Sequence, residues 1–150
     1  CKVSLLDRGF GKKSGANGSG WGKANKVNLW ARAKDGNRAY SMLRELINKN
    51  IAPNLWDFHP PYQMDGNCGY TSGVCEMLCY SSDDIIELLP ALPEEWKNGS
   101  VKGLCARGGY SLDFTWENGE IKSLSVYSSC GKKTARIKTG DEIKTVKTVG

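Results

Sequence analysis

The pattern of apolar residues predicts an α+β chain, helical up to about residue 82 and built of antiparallel, sandwich-like strands from residue 83 onward. Apolar residues first recur at helical spacing, between Trp21 and Cys79. After Ser81-Ser82-Asp83-Asp84 the period shortens to that of a strand, beginning with Ile85 to Leu89. Finally, Tyr110, Leu112, Phe114 and Trp116 alternate with Ser111, Asp113 and Thr115, and Glu117-Asn118-Gly119 then supplies a strong two-residue hairpin signal.

Taken in order, the chain opens on Cys1 and not on methionine, in a helix-like or strand-like run, which places the expected natural N-terminus upstream. Gly9 to Gly20 is rich in glycine without periodicity and reads as a flexible loop. Its spacing fits neither a Walker cradle nor G-x-G-x-x-G. Ala24, Val27, Trp30 and Ala31 mark a helix ending near Lys34, and Ala39, Tyr40, Leu43, Leu46 and Ile47 mark another. Asp35-Gly36-Asn37 between them predicts a tight turn and an antiparallel helical hairpin.

A third helix is expected from Gly66 to about Cys79, with Gly66, Gly69 and Gly73 on one stripe and Cys68, Cys75 and Cys79 on the opposite one. Each mid-helix glycine costs about 1 kcal/mol relative to alanine, so another helix or a ligand must approach that backbone closely. The cysteine stripe then reads as the packed side. Further strands are expected at 100–107, 121–128, 133–138 and 142–148, with Lys132, Lys133, Lys138, Lys144 and Lys147 guarding solvent-facing or edge strands.

Composition excludes more than it identifies. A net charge of +5 from 21 basic and 16 acidic residues is a mild excess without a basic block, which argues against nucleic acid. No apolar run reaches membrane-spanning length, so the chain reads as soluble, either secreted or cytoplasmic. The six cysteines lack metal-site spacing and read as core thiols, with no metal or other cofactor expected. The triplets at Asn17 and Asn98 fit the N-glycosylation pattern, but Asn-Gly is also an ordinary turn pair.

The chemistry concentrates in Asn54 to Tyr70, which holds the only histidine, a carboxylate ahead of a helix, several amides and a cluster of aromatics around Pro60-Pro61. Two adjacent prolines exclude helix interior and central strand, so this is a loop. Asp65 stands where the unpaired N–H groups of a helix start favour an ionised carboxylate, a proton acceptor more than a donor. Its bland alternative is a plain helix cap. His59, aimed by the prolines, reads as a hydrogen-bonding group of a polar-ligand pocket or as a loop histidine held by carbonyls, and Gln63 and Asn67 as ligand contacts or as loop fasteners. Trp21 at the loop boundary is a candidate ring-stacking surface, whereas Trp56 and Phe58 read as packing.

Several runs together resemble one family. These are Gly20-Trp21 with Lys26 and Asn28-Leu29-Trp30-Ala31-Arg32, then Asp35-Gly36 with Arg38-Ala39-Tyr40. Asn54-Leu55-Trp56-Asp57 and His59-Pro60-Pro61-Tyr62-Gln63-Met64-Asp65-Gly66-Asn67 follow, and the series ends with Leu88 to Pro93, Trp96, Gly99 to Leu104 and Ala106 to Gly109. Over about residues 1 to 130 the chain resembles the C-terminal part of glycoside hydrolase family 95, the inverting α-L-fucosidases.

The resemblance implies the terminal helices of an (α/α)6 barrel in residues 1–82 and a C-terminal β domain in 83–150. It implies Asp65 on the base side of the reaction, polarising active-site asparagine and water, with His59, Trp21, Gln63 and Asn67 near substrate. The substrate is then a fucosylated oligosaccharide or glycan, and the partners are the upstream residues of the catalytic domain. An inverting glycosidase needs an acid about 6.5–9.5 Å from the base-side group. Glu76 and Glu87, within a predicted helix and a predicted strand, are poor substitutes for it, so the chain alone is expected to be inactive. Asn25, where the family commonly has tryptophan, and Cys68, where it commonly has phenylalanine, bear on sugar specificity. Two other classes compete with this reading: a non-catalytic carbohydrate-binding module worked by the β region, and a structural piece with associating helix faces.

Overall fold

The computed structural model describes residues 2–7, 18–58, 61–82 and 84–149. Among the described residues four α-helices come first, α1 (Lys2–Asp7), α2 (Gly20–Arg32), α3 (Gly36–Asn50) and α4 (Met64–Leu78). Each of the hairpin helices starts at a polar cap: Ser19 accepts from the Gly22 N–H and Asp35 from the Arg38 N–H. Between them, Lys34 takes a left-handed φ of 56° that closes α2, and Gly36 follows because a side chain there would strike the Ala91 and Leu92 backbone. The predicted turn is therefore observed, and it is clamped from outside. Asn37 exchanges two hydrogen bonds with Glu94, and Trp96 meets Tyr40 edge to face at 5.7 Å.

The glycine stripe of α4 lies against α2. Ala24 Cβ is 2.9 Å from the place a Cβ on Gly69 would take, and Val27 Cγ1 is 2.5 Å from the place of one on Gly73. Gly20 and Gly66 share the Asp57 side chain as a neighbour. Positions 20, 24 and 27 thus oppose 66, 69 and 73, so α2 and α4 run parallel while α3 returns between them in sequence and packs on α2. Asn28 fastens the seam, donating to the Ala24 and Gly69 carbonyls and accepting from the Ser72 hydroxyl. Of the two occupants left open for the glycine face, the structure shows a helix.

The cysteine expectation is overturned. Cys68 and Cys75 are exposed on the far side of α4, Cys79 is half-buried, and Cys105 and Cys130 are exposed on the β region. The α4 glycines already make that helix's close contact, and van der Waals contact on one side leaves the thiols outward. The helix also starts earlier than expected, at Met64, and ends at Leu78, with Cys79 passing into a strand.

The described residues then form seven strands: β1 (Cys79–Ser81), β2 (Ile86–Leu88), β3 (Gly99–Ala106), β4 (Tyr110–Glu117), β5 (Glu120–Ser128), β6 (Thr134–Thr139) and β7 (Glu142–Lys147). The hairpin at Asn118-Gly119 is as expected, with φ of 51° and 78°, the two positive values a type I′ turn requires. β3, β4 and β5 form an antiparallel sheet, and the second sheet has the order β1-β2-β6-β7. Leu112, Phe114, Trp116 and Val126 from one sheet meet Ile86, Leu88, Ala135 and Ile137 from the other, so the two sheets sandwich a core.

The expectation of a wholly antiparallel region needs correcting, because β2 and β6 are parallel. All of β3–β5 is inserted between them, a connection long enough to bring the chain back in the same direction. β2 also departs from simple alternation, since Ile86, Glu87 and Leu88 are all buried. Glu87 is tolerated there because Lys34 contacts both its oxygens at 2.7 and 2.9 Å. The helical and sandwich cores meet at Val74 and Trp96.

Candidate functional site

The loop joining α3 to α4 sits at the starting ends of α2 and α4 and is tied down at several points. Ile51 bridges Asp57, and Phe58 bridges Tyr62. Asn50, buried at the end of α3, accepts from Lys23 Nζ at 2.7 Å and donates to the Gly18 carbonyl at 3.0 Å, and its backbone carbonyl accepts from the Phe58 N–H. Lys23 is itself buried and reaches Glu45 at 3.5 Å. Asn67 on the first turns of α4 uses both ends of its carboxamide, accepting from the Asp57 N–H and donating to the Leu55 carbonyl, each at 2.8 Å. That second bond holds Leu55 at a φ of 67°, a conformation a branched side chain seldom adopts.

Asp65 lies in the first turn of α4 and is exposed, with Gln63 at the capping position. The plain-cap alternative does not describe it, because the capping position is Gln63, whose side chain makes no cap hydrogen bond. Gln63 is half-buried; its N–H donates to the Asp57 carbonyl, and its Oε1 is buried without a hydrogen-bond partner among the described residues. Trp21, in the first turn of α2, is exposed. Because Gly20 and Gly66 both touch Asp57, the turns carrying Trp21 and Asp65 are neighbours. Asn67 is seen as a loop fastener. His59 and Pro60 lie outside the described residues, as does Asn17 with the glycine-rich stretch up to that position.

Trp56 and Phe58 are not packing residues as expected, being 54% and 50% exposed. Trp56 rests on Tyr62 with ring centroids 4.7 Å apart, and Leu55 and Met64 are exposed beside them. The reason is local: backbone bonds and Asn67 close this loop, so it does not need aromatic burial to hold its shape. The exposed Asp65 thus follows directly on a loop that presents flat apolar faces to solvent.

Sequence reasoning singled out neither Asp57, which is fully buried, nor the buried Lys23 and Asn50 that anchor the loop. A usable signal was there, since Gly20 and Gly66 open two helices where a residue with a Cβ is the better helix former.

Glu76 and Glu87 are committed elsewhere. Glu76 pairs with Arg32 at 3.0 Å, which raises the pKa of that guanidinium, and Glu87 holds Lys34, raising its pKa in turn. Glu76 belongs to a mostly polar cavity of about 260 Å³ at the far ends of α2 and α4, lined also by Tyr80, Cys105 and Arg107. Burial pushes the Cys79 thiol there up to about 12. Among the described residues no helix is long and apolar enough to cross a membrane.

Two family profiles match. The glycosyl hydrolase family 95 catalytic domain matches residues 1–78, and the glycoside hydrolase family 95 C-terminal domain matches residues 80–149. Alpha-L-fucosidase 2 of Arabidopsis thaliana is 36% identical over 129 residues, covering 78% of this chain and 15% of that protein. Probable alpha-fucosidase A of Aspergillus oryzae is 36% identical over 133 residues, covering 77% and 18%, and its namesake in Aspergillus niger is 32% identical over 154 residues, covering 91% and 19%. The chain thus spans between 15% and 19% of the length of these relatives. With one profile over its helices and the other over its strands, the chain belongs to glycoside hydrolase family 95.

Proposed function

We propose that these residues are part of an inverting glycoside hydrolase that releases terminal α-L-fucose from oligosaccharides, with Asp65 on the base side. The observation that carries this reading is the exposed Asp65 at the start of α4, beside Trp21 and the Trp56–Tyr62 surface. In this reading residues 1–82 belong to an (α/α)6 barrel and 83–150 to its C-terminal β domain. The parallel run of α2 and α4, with α3 returning between them in sequence, supports this reading. The relatives named as fucosidases support the choice of sugar.

Asp65 takes the proton side of the attacking water, directly or through an amide it polarises. Trp21 and the loop aromatics, with His59 and Gln63, hold the sugar. The opposing general acid comes from outside these elements. Glu76 is 11 positions along the same helix, about 16 Å at 1.5 Å per residue, well beyond the roughly 6.5–9.5 Å an inverting pair spans. It is also occupied by Arg32. The 150 residues by themselves are therefore expected to be inactive. No cofactor enters this chemistry.

The test is time-resolved proton NMR of an α-L-fucoside treated with the natural polypeptide that carries this sequence. The β anomer of fucose is expected to appear first and then mutarotate. Appearance of the α anomer first would overturn inversion, and no release of fucose would overturn the activity.

A further inference from the structure

We propose that Asp57 is a positioning residue: its carboxylate is the spacer that sets the first turn of α4, with Asp65, against the first turn of α2, with Trp21. This rests on the functional reading above for its consequence in turnover, but not for its geometry.

Asp57 is completely buried, and its two oxygens divide between two helices. A Cβ on Gly20 would fall on Oδ1, and a Cβ on Gly66 would fall on Oδ2, so each oxygen occupies the space that a side chain at one helix start would take. Two helices can bring their N-terminal turns this close to a shared carboxylate only if both present glycine on that face. Because α2 and α4 run parallel, both direct the positive ends of their dipoles toward the same side chain. Asp57 is itself held in place through both its backbone groups, from the α4 side: its N–H donates to Asn67 Oδ1 and its carbonyl accepts from the Gln63 N–H. Farther along, the separation of the two helices is set by Ala24 against Gly69 and Val27 against Gly73. At the starting end, where Trp21 and Asp65 stand, the Asp57 carboxylate is the group between them.

The consequence is specific. Displacing a catalytic group by about 1 Å costs on the order of 10²-fold in rate, so a change at this spacer should lower turnover out of proportion to its effect on stability. Asp57→Asn keeps the volume but turns an amide N–H₂ toward one helix's N–H groups. Asp57→Ala/Gly66→Ala instead lets a methyl fill part of the vacated space.

Both variants are compared with Gly66→Ala and wild type in the natural polypeptide, by hydrogen exchange, melting temperature and turnover of an aryl α-L-fucoside. Expected for Asp57→Asn is faster exchange at the amides of residues 21–23 and 66–68 together, with the middles of α2 and α4 unchanged, and kcat at least about tenfold lower. The double variant should melt closer to wild type than Gly66→Ala does and still turn over slowly. Unchanged exchange at both helix starts in Asp57→Asn overturns the inference whatever the activity. Recovery of turnover together with melting temperature in the double variant reduces Asp57 to filler and overturns it as well. A wild-type protein that releases no fucose defeats the functional reading, and the exchange experiment still decides the inference.

Discussion

The two halves of the molecule each bury a core of large side chains, but the seam between α2 and α4 is made differently from the gap between the sheets. In the sandwich, large side chains meet across a gap between sheets: Leu112, Phe114 and Trp116 from β4 and Val126 from β5 against Ile86, Leu88 and Ile137. In the helical half, the contact between α2 and α4 is made by absent side chains, with Gly69 and Gly73 admitting Ala24 and Val27. The first arrangement gains stability from buried area and tolerates small shifts. The second fixes the distance between two backbones, which is what a site shared between two helix starts needs. The β half is built to be stable, and the helical seam is built to be placed.

Changes on either side of this contrast should separate stability from turnover. The largest stability effect is expected from Phe114→Ala, about 3–5 kcal/mol by chemical denaturation, with turnover per folded molecule unchanged. Gly73→Ala should cost less, about 1–3 kcal/mol, because Val27 must move to admit the methyl, yet it should reduce turnover where Phe114→Ala does not. If the two variants lose turnover in proportion to stability, the contrast fails. Asn28→Ala removes the clamp across the seam and should cost about 1–2 kcal/mol, leaving the Gly69 carbonyl without that donor.

The smallest effect concerns reactivity. Since thiolate is the reactive form, alkylation at pH 8 followed by peptide mass mapping should modify the exposed Cys68, Cys75, Cys105 and Cys130 well before Cys79. Cys79 stays protonated because burial holds its thiol near 12. The sign follows from that shift: the folded state keeps the proton above pH 9 where the unfolded chain loses it, so this thiol's contribution is present below pH 9 and declines toward pH 12. Early labelling of Cys79 would mean that the junction between α4 and β1 is open.

Sequence alone revealed the parts of the molecule ruled by local pattern. The alternation from Tyr110 to Trp116 and the Asn118-Gly119 turn announced β4 and β5 because strand faces and I′ turns are encoded within a few residues. The parallel pairing of β2 with β6 was not legible, since it depends on how the whole of β3–β5 is accommodated between them. The α4 stripes were found but assigned the wrong way for the thiols: a helical wheel gives which residues share a face, not which face is covered. At the site, Asp65 and Trp21 stood out as types next to loop signals. Asp57 did not, because a carboxylate in an aromatic loop looks like a solvated one until Gly20 and Gly66 are brought against it.

The most direct test of the central claim, that the start of α4 presents the base-side carboxylate, is the turnover of Asp65→Asn in the natural polypeptide. The expected result is a loss of about 10³-fold or more in kcat with the circular dichroism spectrum and melting temperature unchanged, since the side chain is exposed and the substitution conserves its shape. Turnover within about threefold of wild type, far short of what loss of a catalytic carboxylate entails, would contradict the assignment.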